Sequence, residues 1–514
     1  MIVLLRAAAS EKVGNGHLIR CINLAIQLRK LQVSCKFLCY NQETQVKKTL
    51  RKSQLEYITL DGEETSFSEA EKNPNGEFKF YDSQAIADFE RHVEKIKPDL
   101  LIIDDYNIDI TYESIFRPHV GRLMVIDDLA NRKHDCDILL DQNLFREQYE
   151  RYQNLIPSHC ITLYGPLFAL LAEEYSTSRK SAVIRSGAPK NILICFGGHD
   201  PYNLSEKILR GLLSISTECL NIHLAISSSN KNISSINAAT EGAENVRIHF
   251  DLPSLQGLIS TADLAFGATG ITTWERCCLG LPSAIITFAD NHVELAETLH
   301  ELGFVFLIGH YPSVDDAYLR DRLEYLLHKL DIRTCSEKCF GLVDGLGAET
   351  VALILTLGKR TTLDIRDVTP KDESYTYSIS NDCVTRKYSL NKGFISREEH
   401  TRWFMKTLKN KNILYYIISA SNRLTIGQVR FENTLGKWRI HFSLANYARA
   451  LGFGLKMLEL AMERFYQEIG FATIFAEVVS GNTKSKKLLE RLNFKVIEDG
   501  DTITLKRNGE EYEN

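Results

Sequence analysis

The apolar positions of this chain fall into two rhythms that alternate through its first two thirds. Unbroken apolar runs at residues 2–5, 35–39, 100–103 and 123–126 read as buried parallel strands. Between them, at 17–31 and 83–96, apolar residues recur every three or four positions, as in Leu18, Cys21, Ile22, Ala25 and Leu28. That spacing predicts helices, and strand–helix alternation predicts a parallel sheet covered on both faces. A polar, basic bridge with Gly and Pro at 176–190 interrupts the pattern, which then restarts. Strands are expected at 191–196, 222–226, 246–249, 264–265 and 284–287, with a helix at 204–213. Near residue 358 the rhythm changes again. A strand at 362–366, a helix, three consecutive strands at 414–419, 427–432 and 437–444, and an amphipathic helix at 452–467 predict an α+β unit. The expected fold class is therefore α/β: two Rossmann-type domains at 1–175 and 190–358, then an α+β domain at 361–514. The polar loop at 61–77 is expected to be exposed.

Composition narrows this reading only a little. A chain of 514 residues is too long for one core. Its net charge of −5 argues against general affinity for nucleic acid. Arg6 interrupts the first apolar run before it reaches the length of a secretory core. No uncharged apolar stretch approaches the ~20 residues of a membrane span. A cytoplasmic protein without a membrane partner is expected. The twelve cysteines are scattered without zinc spacing, so they read as reduced core thiols, and no metal is expected.

Three stretches carry candidate chemistry. After the first strand come Gly14-Asn15-Gly16-His17. The glycines permit a tight turn close to a ligand, and the helix start offers free N–H groups to an anion. His17 sits where the helix dipole disfavours positive charge. The third glycine of the dinucleotide fingerprint is missing. A tight turn with a capping histidine explains this stretch as well as catalysis does. In the second domain, a small-residue loop from Gly267 to Gly270 leads into a helix opening on Thr272 and Thr273. Hydroxyls and N–H groups there would hold a diphosphate without metal, and Glu275 would accept from ribose hydroxyls. Thr272 as an N-cap with Glu275 as its capping-box partner is the structural alternative. In the third domain, Arg449-Ala450-Leu451-Gly452-Phe453-Gly454 opens a helix after a strand. Consecutive N–H groups there form a pyrophosphate nest.

Several of these motifs stand together in a pattern. Arg6, Ser10, Gly14, Gly16, His17, Arg20 and Cys21 are followed by Asp104-Asp105-Tyr106 and by Asp127-Asp128-Leu129-Ala130-Asn131-Arg132. Gly197-Gly198, Thr272-Thr273-Trp274-Glu275-Arg276 and Asp290-Asn291 come next, in order. Across residues 1–355 this resembles the PseG family, the UDP-2,4-diacetamido-2,4,6-trideoxy-β-L-altropyranose hydrolases of pseudaminic acid biosynthesis, a pathway that serves flagellin glycosylation. The resemblance implies a GT-B-like domain pair and release of UDP by water attack at the anomeric carbon. It implies His17, Tyr106 and Asn291 as catalytic residues. UDP-sugar contacts are expected from Arg6, Gly14, Gly16, Gly270, Thr272, Thr273 and Glu275. The third domain resembles GNAT acetyltransferases of the RimJ-like branch, also through Asn482, Ser485 and the 395–404 segment. That implies acetyl-CoA on Arg449, Gly452, Gly454, Asn482 and Ser485.

The combined expectation is a bifunctional enzyme. Its GNAT domain would acetylate a 4-amino UDP-sugar, and the N-terminal pair would hydrolyse the product. Substrates would be the UDP-sugar and acetyl-CoA, and contact with other enzymes of the same pathway is open. Two departures stand out. Ala8 replaces an aspartate and Ala172 an arginine usual in the PseG family. A carboxylate at residue 8 would orient His17 or hold a sugar hydroxyl, so Ala8→Asp is expected to raise turnover. A GT-B glycosyltransferase and a UDP-sugar-binding scaffold are the alternative readings.

Overall fold

Seven consecutive strands build the first sheet of the computed structural model: β1 (Ile2–Ala7), β2 (Ser34–Tyr40), β3 (Glu56–Leu60), β4 (Leu100–Asp104), β5 (Leu123–Ile126), β6 (Ile138–Asp141) and β7 (Ile161–Tyr164). The structure describes residues 1–8, 16–40, 43–61, 83–198, 200–215, 220–358, 361–421, 423–449 and 451–509. The polar loop expected at 61–77 lies almost wholly outside them. The strand order is β3-β2-β1-β4-β5-β6-β7, all parallel. Every residue of β4, β5 and β6 is buried, which is why these strands read as unbroken apolar runs.

A second parallel sheet repeats the plan. Its strands are β8 (Asn191–Cys195), β9 (Asn221–Ile226), β10 (Val246–Phe250), β11 (Leu264–Gly267), β12 (Ser283–Thr287) and β13 (Phe306–His310), in the order β10-β9-β8-β11-β12-β13. In both sheets the winding reverses beside the first strand, between β1 and β4 and between β8 and β11. Ligands of open α/β sheets bind outside the carboxyl ends of the strands at such reversals.

The chain divides into two compact units, Met1–Ala352 and Leu353–Asn514. The first contains both parallel sheets. The second has one mixed sheet: β14 (Leu363–Asp367), β15 (Ile413–Ala420), β16 (Leu424–Thr434), β17 (Lys437–Leu444), β18 (Ile474–Val479), β19 (Lys495–Glu498) and β20 (Thr502–Arg507), in the order β14-β15-β16-β17-β18-β20-β19. All its pairings are antiparallel except β17 with β18. That parallel pair is joined only at Trp438–Ile474, Arg439–Phe475 and Ile440–Ala476. Beyond Ile440 and Ala476 the two strands continue without pairing, which leaves a cleft at their carboxyl ends.

The segment Ile332–Thr356 is long and apolar enough to cross a membrane by composition. It consists of two helices, Ile332–Leu342 and Gly347–Thr356, and Cys339, Val351, Ala352 and Leu355 are fully buried. Ten of the twelve cysteines are described, all of them free, and eight of these are buried.

Candidate active sites

The reversal between β1 and β4 places His17 beside Asp104. Residues 9–15, with Gly14 among them, lie outside the described residues. The helix Gly16–Lys30 follows them, and His17 is its second residue, 7% exposed. Asp104 ends β4 and is fully buried. His17 Nδ1 is 2.5 Å from Asp104 Oδ1. A carboxylate at that distance selects the Nδ1–H tautomer and leaves Nε2 as an acceptor. Arg20, one helical turn on, donates through Nε to Asp104 Oδ2 at 2.6 Å and through Nη2 to Oδ1 at 2.5 Å. Burial alone would raise the Asp104 carboxyl, but Arg20 and His17 hold it well below the usual carboxylate range. Asp104 therefore stays ionised whenever the protein is folded at neutral pH.

Tyr106 and Asp128 complete this cluster. The Tyr106 hydroxyl donates to Asp128 Oδ1 at 2.5 Å, and its ring meets the His17 imidazole edge-on at 4.5 Å. Burial and the Asp128 charge push the phenol well above its ordinary range, so it remains a hydrogen-bond donor. Asn291 is exposed on the short turn Asp290–His292 after β12. Among the described residues it makes no hydrogen bond to His17 or Tyr106. Its segment is nonetheless tied to the cluster. Arg151 donates to the Asp128 carbonyl at 3.0 Å and to Glu294 Oε2 at 2.7 Å, and His292 lies within reach of the Asp128 charge.

Arg6 is fully buried, and its Nη1 is 2.8 Å from Glu43 Oε1 and 3.0 Å from Oε2, with Nε 3.5 Å from Asp105. Its side chain is held by these carboxylates inside the domain. Ala8, 3% exposed, donates its N–H to the Asp104 carbonyl at 2.9 Å. The carboxylate that orients His17 is Asp104, so residue 8 is not required for that role.

At the second reversal, Gly270 has φ +142 and precedes the helix Ile271–Cys278. The helix begins one residue earlier than expected, with Gly270 as N-cap and no side-chain cap. Thr272 is therefore not the cap, and Glu275 is not its capping-box partner. The amides of the first turn keep no side-chain acceptor, as an anion site requires. Thr272 is half-buried. Thr273 is fully buried; it donates to the Ala268 carbonyl at 3.4 Å and accepts from Arg276 Nη2 at 3.2 Å. Its hydroxyl thus shapes the loop from within. A side chain at Gly267 would stand 2.5 Å from the Cys195 carbonyl, so β8 and β11 touch backbone to backbone there. Burial pushes the Glu275 carboxyl up to about 7 against the opposing pull of Tyr175 and Arg276.

In the second unit the cleft beyond Ile440 and Ala476 opens into a cavity of about 440 Å³. Asn482 and Ser485 line it, and Asn482 caps the helix Thr483–Arg491 by accepting from the Ser485 N–H at 3.2 Å. Gly452 has φ +83 and open space at its Cβ position; it caps the helix Phe453–Ile469 without any side-chain acceptor. A Cβ on Gly454 would be 3.0 Å from Leu488 Cδ1, so this helix packs closely on Thr483–Arg491. Arg449 is turned inward, donating to Asp382 Oδ1 at 2.5 Å and to Thr385 Oγ1 at 3.0 Å. Its guanidinium is therefore engaged within the protein. The loop offers backbone N–H groups to a pyrophosphate; Ala450 lies outside the described residues.

Residues 362–495 match the family model for an acetyltransferase (GNAT) domain. The UDP-2,4-diacetamido-2,4,6-trideoxy-beta-L-altropyranose hydrolase of Campylobacter jejuni is 25% identical over 304 residues, 59% of this chain and 98% of that protein. The chain is a PseG-like region followed by a GNAT domain. An uncharacterised protein of Methanocaldococcus jannaschii is 23% identical over 508 residues, 96% of each chain, so both parts recur there in the same order. The crystal structure of Acinetobacter baumannii MurG covers 69% of this chain and 98% of its own at 13% identity, with a TM-score of 0.50. That likeness gives the fold of the PseG-like region as GT-B. The GNAT domain implies acetyl-CoA as co-substrate.

Sequence reasoning passed over three members of the PseG-like cluster. Asp104, Asp128 and Arg20 were visible only as parts of motifs. The available signals were positional: Asp104 ends a strand, Asp128 follows one, and Arg20 is three residues after His17. In the GNAT domain the residues across the sheet face, Tyr415, Arg430 and His441, gave no sequence signal. They meet only through strand register.

Proposed function

We propose that the PseG-like region hydrolyses a UDP-linked 2,4-diacetamido-2,4,6-trideoxy sugar, releasing UDP and free sugar, in pseudaminic acid synthesis. The GNAT domain acetylates the 4-amine of the UDP-sugar precursor. The observation that carries the hydrolase reading is the pair of His17 Nδ1 and Asp104 at 2.5 Å, at the winding reversal of a parallel sheet. The Nε2 of His17 accepts a proton from water as the water oxygen attacks the anomeric carbon. The bond from that carbon to the diphosphate oxygen breaks, and UDP leaves as an anion. Tyr106 and Asn291 contact the sugar. The diphosphate rests on the amides after Gly270 without metal, and Glu275 meets the ribose. Acetyl-CoA lies along the cleft between β17 and β18, with its pyrophosphate on the amides around Gly452. The free, mostly buried thiols fit a cytoplasmic protein.

The Asp104 pairing favours turnover over the scaffold reading, because His17 keeps a carboxylate partner despite Ala8. The test is to mix the full chain with the UDP-diacetamido sugar and follow UDP and free sugar by NMR. Release of both, lost in His17→Leu, is the expected outcome. Binding without release, or release unaffected by His17→Leu, refutes the mechanism.

A further inference from the structure

The helix Arg397–Leu408 covers one face of the GNAT sheet, and the cavity lies on that face. Three cavity residues form a row across neighbouring strands. Tyr415 on β15 stands opposite Arg430 on β16, and Arg430 stands opposite His441 on β17. The Trp403 ring lies 5.0 Å from the Arg430 guanidinium carbon. His400 beside it is 1% exposed, and its Nε2 has no hydrogen-bond partner.

The charge in this cavity does not balance. Arg386 and Arg430 line it, while Glu477 is the one carboxylate among its lining residues. Glu477 is taken by Arg439 at 2.9 Å. The carboxylate paired with Arg430 is Glu432, 3.8 Å away and 41% exposed, and Arg430 Nε is buried without a partner. Burial and the two flanking arginines, Arg430 and Arg439, push His441 down to about 4, so the imidazole is uncharged at neutral pH. A half-paired guanidinium at a cavity wall favours an anionic ligand, and phosphate suits its fork of donors. The same charge repels polycations.

We infer that this cavity takes an amine acceptor that carries a phosphate group, that Arg430 holds the phosphate, and that polyamines are turned away. This rests on the reading that the GNAT domain acetylates a nucleotide-linked amino sugar. The acceptor nitrogen attacks the thioester carbonyl of acetyl-CoA, the C–S bond breaks, and the amine proton ends on the CoA thiolate. Arg430 acts on where the acceptor sits and takes no part in bond making.

Equilibrium dialysis of the full chain against labelled UDP tests the site directly. Two UDP per wild-type chain are expected, and one in Arg430→Gln, with acetyl-CoA affinity unchanged as the check that the variant is folded. Arg430→Lys keeps the charge and retains weaker binding. One UDP per wild-type chain that survives Arg430→Gln overturns the inference and leaves the PseG-like site standing. One UDP that is lost in Arg430→Gln supports the inference and removes the PseG-like site. Two UDP unaffected by Arg430→Gln, or none at all, overturn it. In steady-state assays, Arg430→Gln raises KM for the UDP-4-amino sugar by roughly 10–100-fold and leaves KM for acetyl-CoA alone. Spermidine turned over as well as the nucleotide-linked amine contradicts the inference.

Discussion

At the scale of single residues, the PseG-like site depends on one carboxylate serving two hydrogen-bond donors. Asp104 accepts from His17 and from Arg20, all three largely buried. Asp104→Asn takes from buried Arg20 the nearer of its two carboxylates and leaves only Asp128 at 3.4 Å, which costs up to about 3–5 kcal/mol of stability. It also removes the acceptor that fixes the His17 tautomer, lowering kcat by roughly 10²–10⁴. Urea unfolding and UDP-release kinetics read the two effects separately. The folded Asp104 carboxyl lies below its unfolded value of ~3.9. Its contribution is thus fully present above that value and is lost as pH falls further. Since Asp104 already orients His17, a rise in kcat in Ala8→Asp is expected only through a new contact to a sugar hydroxyl, which UDP-release kinetics with a substrate lacking that hydroxyl would remove. His17 was legible in the chain because a histidine after a glycine pair at a helix start is conspicuous. Arg6 could not be placed from the sequence, because charge alone does not tell a brace from a ligand contact. Only its burial against Glu43 does.

Among elements, the helix starts decide binding. Gly270 at φ +142 and Gly452 at φ +83 bring uncapped amides to the two expected pyrophosphate positions. Gly452→Asp places a carboxylate where the pyrophosphate is proposed to rest, so acetyl-CoA affinity is expected to be lost. Normal binding by calorimetry refutes the assignment. Glu275, one turn into its helix, titrates near neutrality in the fold. Its folded value lies above the unfolded ~4.3. Its favourable share of stability is therefore present below that value and lost as pH rises through about 7. Glu275→Gln removes this loss, so urea midpoints of wild type and variant diverge between pH 5 and 8. The strands most easily read in advance were those buried on both faces, such as β4 and β5. In the two parallel sheets, strands β3, β6, β7 and β13 were not expected from the sequence. β3 carries Glu56 and Thr59 among its apolar residues, and the other three span only four or five residues. The helix at Gly270 was placed a residue late because a threonine pair resembles a cap. The positive φ that makes glycine the cap cannot be seen in sequence.

For the whole molecule, the compact unit Leu353–Asn514 has its own sheet and helices. A chain starting near residue 357 is expected to fold alone and bind acetyl-CoA with the affinity of the full protein. Circular dichroism and calorimetry check this. Binding of UDP to the PseG-like region is expected to survive EDTA, because the proposed diphosphate site is made of backbone amides. The two parallel sheets were legible because strand–helix alternation is a long-range rhythm. The cavity floor of the GNAT domain was not. Tyr415, Arg430 and His441 are scattered along the sequence and become neighbours only when three antiparallel strands settle into register.

The half-paired guanidinium of Arg430 would also set a clock. An acceptor must still carry its nucleotide to be held there, and the hydrolysis proposed for the PseG-like region would remove that nucleotide. Hydrolysis before acetylation would therefore be a dead end, yielding a sugar with a free amine that the GNAT cavity no longer grips. A chain that works on one pool with both units gains by acetylating early and hydrolysing late. Slow turnover at His17 would then be an advantage, giving each sugar time to be finished before its handle is cut.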